Sequence, residues 1–284
     1  MLLPRTLLPN FVTSNAKSEI YRVLLLASAI HQPALVTILS MPDYSSLTYW
    51  QSRFEKETCF EWLGPGDIMM PHLARILEPV LNCDENDYSS SKLPEQRCNE
   101  SFPTNIFHIG SGTSQLSLDL RSLYSTRVVN IDFEQSCLAQ LRQSELAKYG
   151  DVKMEYKQID MLNWEQVESQ LAGEARVLII DKSTSDAISC GPDKPSPFSQ
   201  SPISPVRVLA LHLAALSLPG SIWIALSYSA SRFDDIGEFW NVEMTEKVAA
   251  ESGQTKEGVY APEVWHTLYV LRRTNHPVRP FVCD

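Results

Sequence analysis

The stretch from Thr104 to Asp132, TNIFHIGSGTSQLSLDLRSLYSTRVVNID, constrains the fold more than any other part of the chain. Asn105 to Ile109 is a short apolar run that reads as a strand, and Gly110-Ser111-Gly112 follows at once. From Ser114 to Tyr124 the leucines at 116, 118, 120 and 123 read as an amphipathic helix of about three turns. Val128 to Ile131 is a second strand, ending on Asp132. Strand, glycine turn, helix, strand and acid make half of a nucleotide-binding α/β unit. Glycines without Cβ let the backbone approach a ligand closely. A carboxylate about 20 residues later, at the tip of the second strand, can accept from both hydroxyls of a ribose.

Two other readings of the turn stay open at this point. A G-x-G after a strand is also an ordinary tight βα turn. A dinucleotide site needs a third small residue for close helix–strand packing, and Gln115 stands there, which disfavours NAD and FAD. A ligand with one ribose, an adenine and no pyrophosphate asks less of this turn.

At 284 residues the chain can bury a large core. Its net charge of −10 argues against general nucleic-acid binding, which relies on neutralising phosphates. The six cysteines are scattered, with no C-x-x-C and no neighbouring histidine pair. No zinc site and no disulfide framework is expected, which suits a reducing, cytoplasmic compartment. No run of about 18 apolar residues occurs, so no membrane span is expected.

Residues 1–40 hold a single acid, Glu19, and the apolar run Val23 to Ile30. They read as an N-terminal extension, either a helix lying over the domain or a targeting segment, mitochondrial if it is a presequence. Residues 41–284 read as a single domain whose segment 44–81 forms a lid. Pro42 and Asp43 can start a helix carrying Tyr49, Trp50, Arg53 and Phe54. Trp62 precedes the turn Gly64-Pro65-Gly66, and Asp67 is expected to cap a helix to about Leu81. The aromatic residues suit core packing and a ligand wall equally well. Asn82 to Pro103 is polar and reads as a loop.

Beyond Asp132 the chain alternates. Phe133 to Tyr149 reads as a helix with Leu138, Leu141 and Leu146 inward, and Val152 to Gln158 as a strand. Trp164 to Leu171 reads as a helix, Val177 to Ile180 as a strand, and Ser189 to Pro205 as a loop. A helix from Pro205 to Leu218 and a strand from Ser221 to Tyr228 follow. Trp240 to Met244 and Trp265 to Arg272 are the last strand candidates, read as an antiparallel closing pair. The pattern predicts an α/β fold: a mostly parallel sheet with helices on both faces and an antiparallel end.

These features together resemble the class I, Rossmann-like seven-stranded methyltransferases that use S-adenosylmethionine. Within them the chain looks most like the methyltransferase-like group containing lysine methyltransferases of translation elongation factor 1A. The resemblance spans Tyr44 to Arg273. It rests on Tyr49-Trp50 with Arg53-Phe54, on Trp62, and on the Ile109-Gly110-Ser111-Gly112 turn running to Leu116. It continues through Asp132-Phe133, Asp160-Met161 and Asp181-Lys182-Ser183-Thr184-Ser185-Asp186. Ser111, Ser183 and Ser185 depart from the group's Cys, Gly and Leu and leave the acceptor open.

The resemblance implies S-adenosylmethionine as cofactor. Gly110 is expected to admit its amino-acid part, Asp132 to hold the ribose, and Phe133 to lie on the adenine. Asp160 is expected to accept from the adenine amine, and Met161 to add a backbone contact. Trp50, Phe54 and Trp62 should close the methionine end, where aromatic faces attract a sulfonium, and Lys182 should lie near the cofactor. An amine acceptor must lose a proton, so Asp186, Tyr228 and His266 are candidate helpers. The acceptor is expected to be a small molecule, methylated on a nitrogen; a protein lysine is the alternative. Neither nucleic acid nor membrane is expected as a partner. A non-catalytic binding protein and an NAD-linked oxidoreductase are weaker readings.

Overall fold

The computed structural model describes residues 42–57, 61–81, 105–124, 127–171, 177–195, 201–250 and 264–278. The expectations for 1–40 and for the 82–103 loop lie outside the described residues. Seven strands carry the fold: β1 (Asn105–Ile109), β2 (Arg127–Asp132), β3 (Glu155–Gln158), β4 (Val177–Lys182), β5 (Ile222–Ser227), β6 (Trp240–Ala249) and β7 (Trp265–Arg273). They form one sheet in the order β3-β2-β1-β4-β5-β7-β6. The first five are parallel, and β7 runs antiparallel between β5 and β6. This is the predicted fold class, with β7 inserted between β5 and β6.

The apolar runs form strands because both faces are covered. Ile106, Leu178, Ile180, Ile224 and Leu268 point to one face; Phe107, Ile109, Ile179, Trp223 and Tyr269 point to the other. The first face packs on α2 (Met70–Leu81), α3 (Leu116–Leu123) and α4 (Gln135–Tyr149). The second packs on α5 (Trp164–Leu171) and α7 (Pro205–Ala215). Two more helices flank the strand tips, α1 (Leu47–Phe54) and α6 (Thr184–Ile188). Among the described residues no helix is long and apolar enough to cross a membrane.

Several boundaries differ from the sequence reading. The first helix starts at Leu47, because Asp43 is engaged in a turn, accepting from Ser45 N (3.1 Å) and Ser45 Oγ (2.7 Å). Asp67 does not cap α2; it lies inside a 3-10 turn, Gly66–Met69, that runs straight into the helix. The helix from Pro205 ends at Ala215, and β6 runs on to Ala249. Leu123, at the end of α3, is 58% exposed. Leu146 is exposed as well, because the buried stripe of α4 takes Glu145 in its place. Positions 138, 141 and 145 share a helix face, whereas 146 is turned about 100° from 145.

Glu145 is fully buried because its carboxylate is saturated. It accepts from Arg121 (2.5 Å), Lys153 N (2.9 Å), Met154 N (3.0 Å) and the Tyr156 hydroxyl (2.7 Å). The contacts tie α3, α4 and β3 together. Burial alone would raise the Glu145 pKa. The Tyr156 hydroxyl, the two backbone N–H groups and the Arg121 guanidinium outweigh it and hold the group below the ordinary carboxylate value. Glu145→Ala should lower unfolding stability by about 3–5 kcal/mol in a denaturant titration, the scale of a broken buried pair. Since the folded pKa is depressed, this stability is present above the unfolded carboxylate pKa and is lost as pH falls through the folded value.

Candidate functional site

Strand order reverses at β1, with β2 on one side and β4 on the other, so the connections leaving these strands diverge and open a crevice at their carboxyl ends. A cavity fills it. The turn after β1 supplies Gly110, Ser111, Gly112 and Ser114, and the β2 tip supplies Asp132 and Phe133. The segment after β3 supplies Asp160 and Met161; the β4 tip and α6 supply Lys182, Ser183 and Ile188. Tyr44, Trp50, Phe54 and Trp62 close it from the N-terminal segment. Trp50, Phe54, Trp62, Gly110, Asp132, Phe133, Asp160, Met161 and Lys182, the nine residues expected around the cofactor, therefore line one cavity.

Asp132 organises the turn. Its Oδ2 accepts from Gly112 N (2.9 Å) and its Oδ1 from Glu134 N (3.0 Å). Each oxygen keeps a further lone pair for a ligand hydroxyl. Burial pushes the carboxyl up to about 6 against the pull of these N–H groups. Asp160 is half-buried and accepts from Leu162 N (2.9 Å), while the Met161 carbonyl accepts from His212 Nδ1 (2.8 Å). Ser111 lines the cavity, and its hydroxyl is buried with no hydrogen-bond partner among the described residues, a polar atom left for a ligand. His108, also on the wall, is bonded to Ser117 Oγ (2.7 Å) and pushed down to about 3 by burial and the nearby Lys182 charge, so it stays neutral.

The glycine at 110 lines the cavity and also has a packing reason. It takes φ +56°, and a Cβ there would lie 2.1 Å from Thr184 Oγ1, which donates to the Ile109 carbonyl (2.8 Å). The missing side chain makes room for Thr184 of α6. Ser183, where the lysine-methyltransferase group that the sequence resembles has Gly, takes φ +70°, a left-handed conformation that is uncommon without glycine. Bonds from Ser183 N to the Leu226 carbonyl (2.9 Å) and from Ser183 Oγ to Asp186 (2.8 Å) hold it there.

The aromatic segment is wall and core at once. Phe54 is buried on Cys137 and Leu138, and its carbonyl accepts from Gln140 (3.2 Å). Trp50 and Trp62 are half-buried, 6.0 Å apart, and Trp50 Nε1 donates to the Tyr44 carbonyl (2.8 Å). Glu61, which the sequence reading passed over, fastens this segment down. It accepts from Gln115 N (2.7 Å), from Ser114 Oγ (2.9 Å) and from Lys182 Nζ. Lys182 also donates to the Gly64 carbonyl (2.9 Å). No sequence signal marks Glu61, whose partners lie 53 to 121 residues away. Its carboxylate occupies the start of α3, where a dinucleotide site would hold pyrophosphate. That physical exclusion is stronger than the one read from Gln115.

The three candidate proton-handling residues do not line the cavity. Asp186 accepts from Ser183 Oγ (2.8 Å), Ser227 Oγ (2.5 Å), Tyr228 N (3.1 Å) and Arg232 Nε (2.8 Å), which saturates it. Tyr228 turns its ring outward, 55% exposed, under the Arg232 guanidinium. His266 is buried on β7, where burial lowers its pKa and the Asp186 charge only partly restores it. The group ties β4, β5 and the following turn together.

The sheet order and sense, the glycine turn and the acids at the crevice define the class I, S-adenosylmethionine-dependent methyltransferase fold. A solved S-adenosylmethionine-dependent methyltransferase from Anabaena variabilis shares it at a TM-score of 0.50 and 14% identity, covering 87% of this chain and 98% of that one. The chain is also 32% identical over 232 residues to Methyltransferase srdJ of Neurospora crassa, 82% of this chain and 85% of that protein. It belongs to that methyltransferase family. No family model matches it.

Two outcomes follow. In a double-mutant cycle, Glu61→Ala and Lys182→Ala should show a coupling of about 1 kcal/mol or more in unfolding stability, and Glu61→Ala should speed hydrogen exchange at the Gln115 amide. Asp186→Ala should cost about 3–5 kcal/mol of stability, because Arg232 loses its buried partner, while cofactor affinity measured on the folded fraction stays unchanged.

Proposed function

We propose that the chain transfers a methyl group from S-adenosylmethionine to a small-molecule acceptor, with the nitrogen expected from the sequence as the acceptor atom and the cytoplasm as its compartment. The observation that carries the reading is the single crevice in which Asp132, the unpartnered Ser111 hydroxyl, Asp160 and the aromatic wall converge. When bound, S-adenosylmethionine supplies an activated methyl on a sulfonium. The residues present fit that ligand: Asp132 has lone pairs for ribose hydroxyls, Ser111 has an unused hydroxyl, and Asp160 offers a carboxylate for an amine.

What the chain itself contributes is orientation and exclusion of water. Glu61 and Lys182 draw the 61–66 turn onto the start of α3. Trp50 and Trp62 present ring faces that attract a cationic sulfur. Ser45 closes against Gly191, where a Cβ would come within 3.2 Å of Ser45 Cβ. A roof packed this tightly suits a small acceptor better than a protein segment. The resemblance to elongation-factor lysine methyltransferases keeps the protein-lysine acceptor as the alternative.

The deciding experiment incubates purified protein with methyl-labelled S-adenosylmethionine, against a metabolite extract and against a cell lysate. Label in a small-molecule product supports the reading; label in protein alone replaces it by the lysine one; label in neither overturns both. Asp132→Ala should weaken cofactor affinity by about 2–4 kcal/mol in calorimetry, the scale of lost charge-assisted bonds. Wild-type affinity should also fall as pH drops through about 6, where Asp132 takes up its proton.

A further inference from the structure

The cavity has a second half that the cofactor residues do not account for. It is bounded by Tyr44, Ile188, Pro192 and Pro205, with Lys194 between the two prolines in sequence. Lys194 is held by its backbone. Its N–H donates to the Ile203 carbonyl and its carbonyl accepts from Ile203 N, both at 2.9 Å, an isolated antiparallel bridge that pins the loop. The residue is half-buried, and its ammonium makes no ion pair or hydrogen bond with the described residues.

The other charged groups on the wall are already engaged. Lys182 pairs with Glu61; Asp132 and Asp160 each accept from backbone N–H groups. Among the described residues of the lining, Lys194 therefore carries a positive charge with no carboxylate paired to it. An ammonium with no counter-charge gains from an opposite charge brought within contact distance. A cationic acceptor would meet like charge there.

We propose that Lys194 selects the acceptor: a small aromatic or apolar molecule carrying a carboxylate or an ionised phenol, which pairs with the Lys194 ammonium while its apolar body lies against Tyr44, Ile188 and the two prolines. The proposal rests on the small-molecule reading above and adds the chemical class of that molecule. It separates the chain from a protein-lysine methyltransferase, whose acceptor side chain is a cation before it loses its proton.

The test uses three probes of one size and different charge: 2-naphthoate, naphthalene-2-methanol and 2-naphthylmethylamine. Each is titrated into the full chain with and without saturating S-adenosylhomocysteine. Naphthoate should bind at least about tenfold more tightly than the alcohol or the amine. Lys194→Met should remove that preference without changing alcohol affinity, and Lys194→Arg should keep naphthoate affinity within about threefold. Thermal melts of both variants check that they fold. Absent naphthoate binding, equal binding of the three probes, or an unchanged preference in Lys194→Met overturns the proposal. Failure of S-adenosylhomocysteine to bind overturns the methyltransferase reading instead, and the titrations without it still report on Lys194.

Discussion

The Glu61 carboxylate holds together three parts of the molecule that the chain encodes far apart. It takes the Gln115 amide at the start of α3, the Ser114 hydroxyl in the turn after β1, and the Lys182 ammonium at the tip of β4. The Lys182 side chain is only 4% exposed, so its charge requires a partner at that depth. The partner comes from the N-terminal segment, and the aromatic wall is thereby fixed over the crevice. The turn that delivers it holds Leu63 at φ +61°, a strained conformation for a branched residue, stabilised by the Lys182 bond to the next carbonyl.

Around this fastening the sheet supplies rigidity and the crevice supplies chemistry. Strands buried on both faces leave their carboxyl ends as the place where polar groups collect. Asp132, Asp181 and Lys182 all sit at such ends. Their roles diverge through burial and partners. Asp132 keeps lone pairs toward the cavity. Asp181 turns inward to hold the start of α6, accepting from Thr184 N (2.7 Å), and burial beside Asp186 pushes its carboxyl up to about 7. Charged residues at the ends of two strands thus diverge: Asp132 faces the cavity, Asp181 caps α6, and Lys182 is a fastening.

The departures from the family pattern also have physical content. Ser183 keeps the left-handed turn of a glycine by bonding to Asp186, so Asp186 is drawn into structure and away from proton transfer. Ser111 puts a hydroxyl on the cavity wall that has no partner among the described residues. Both changes lie in the crevice, while the sheet beneath keeps its order. Fold and cofactor class are consequently easier to read from this chain than the acceptor.

The sequence by itself determined the alternation of strands and helices, the antiparallel end, the glycine turn and the acid after β2, because these depend on local periodicity and short spacing. It also marked, through motifs a few residues long, the nine residues expected around the cofactor, and all nine line the cavity. It did not reveal Glu61, Thr184 as the reason for Gly110, Glu145 in place of Leu146, or Lys194 on the apolar half of the cavity. Those depend on which side chains meet across long separations, and on whether a buried charge finds partners. Local sequence carries no signal for either. Only the packed structure decides that Asp186 is saturated while Asp132 keeps lone pairs on the cavity side, since two carboxylates differ only in what surrounds them.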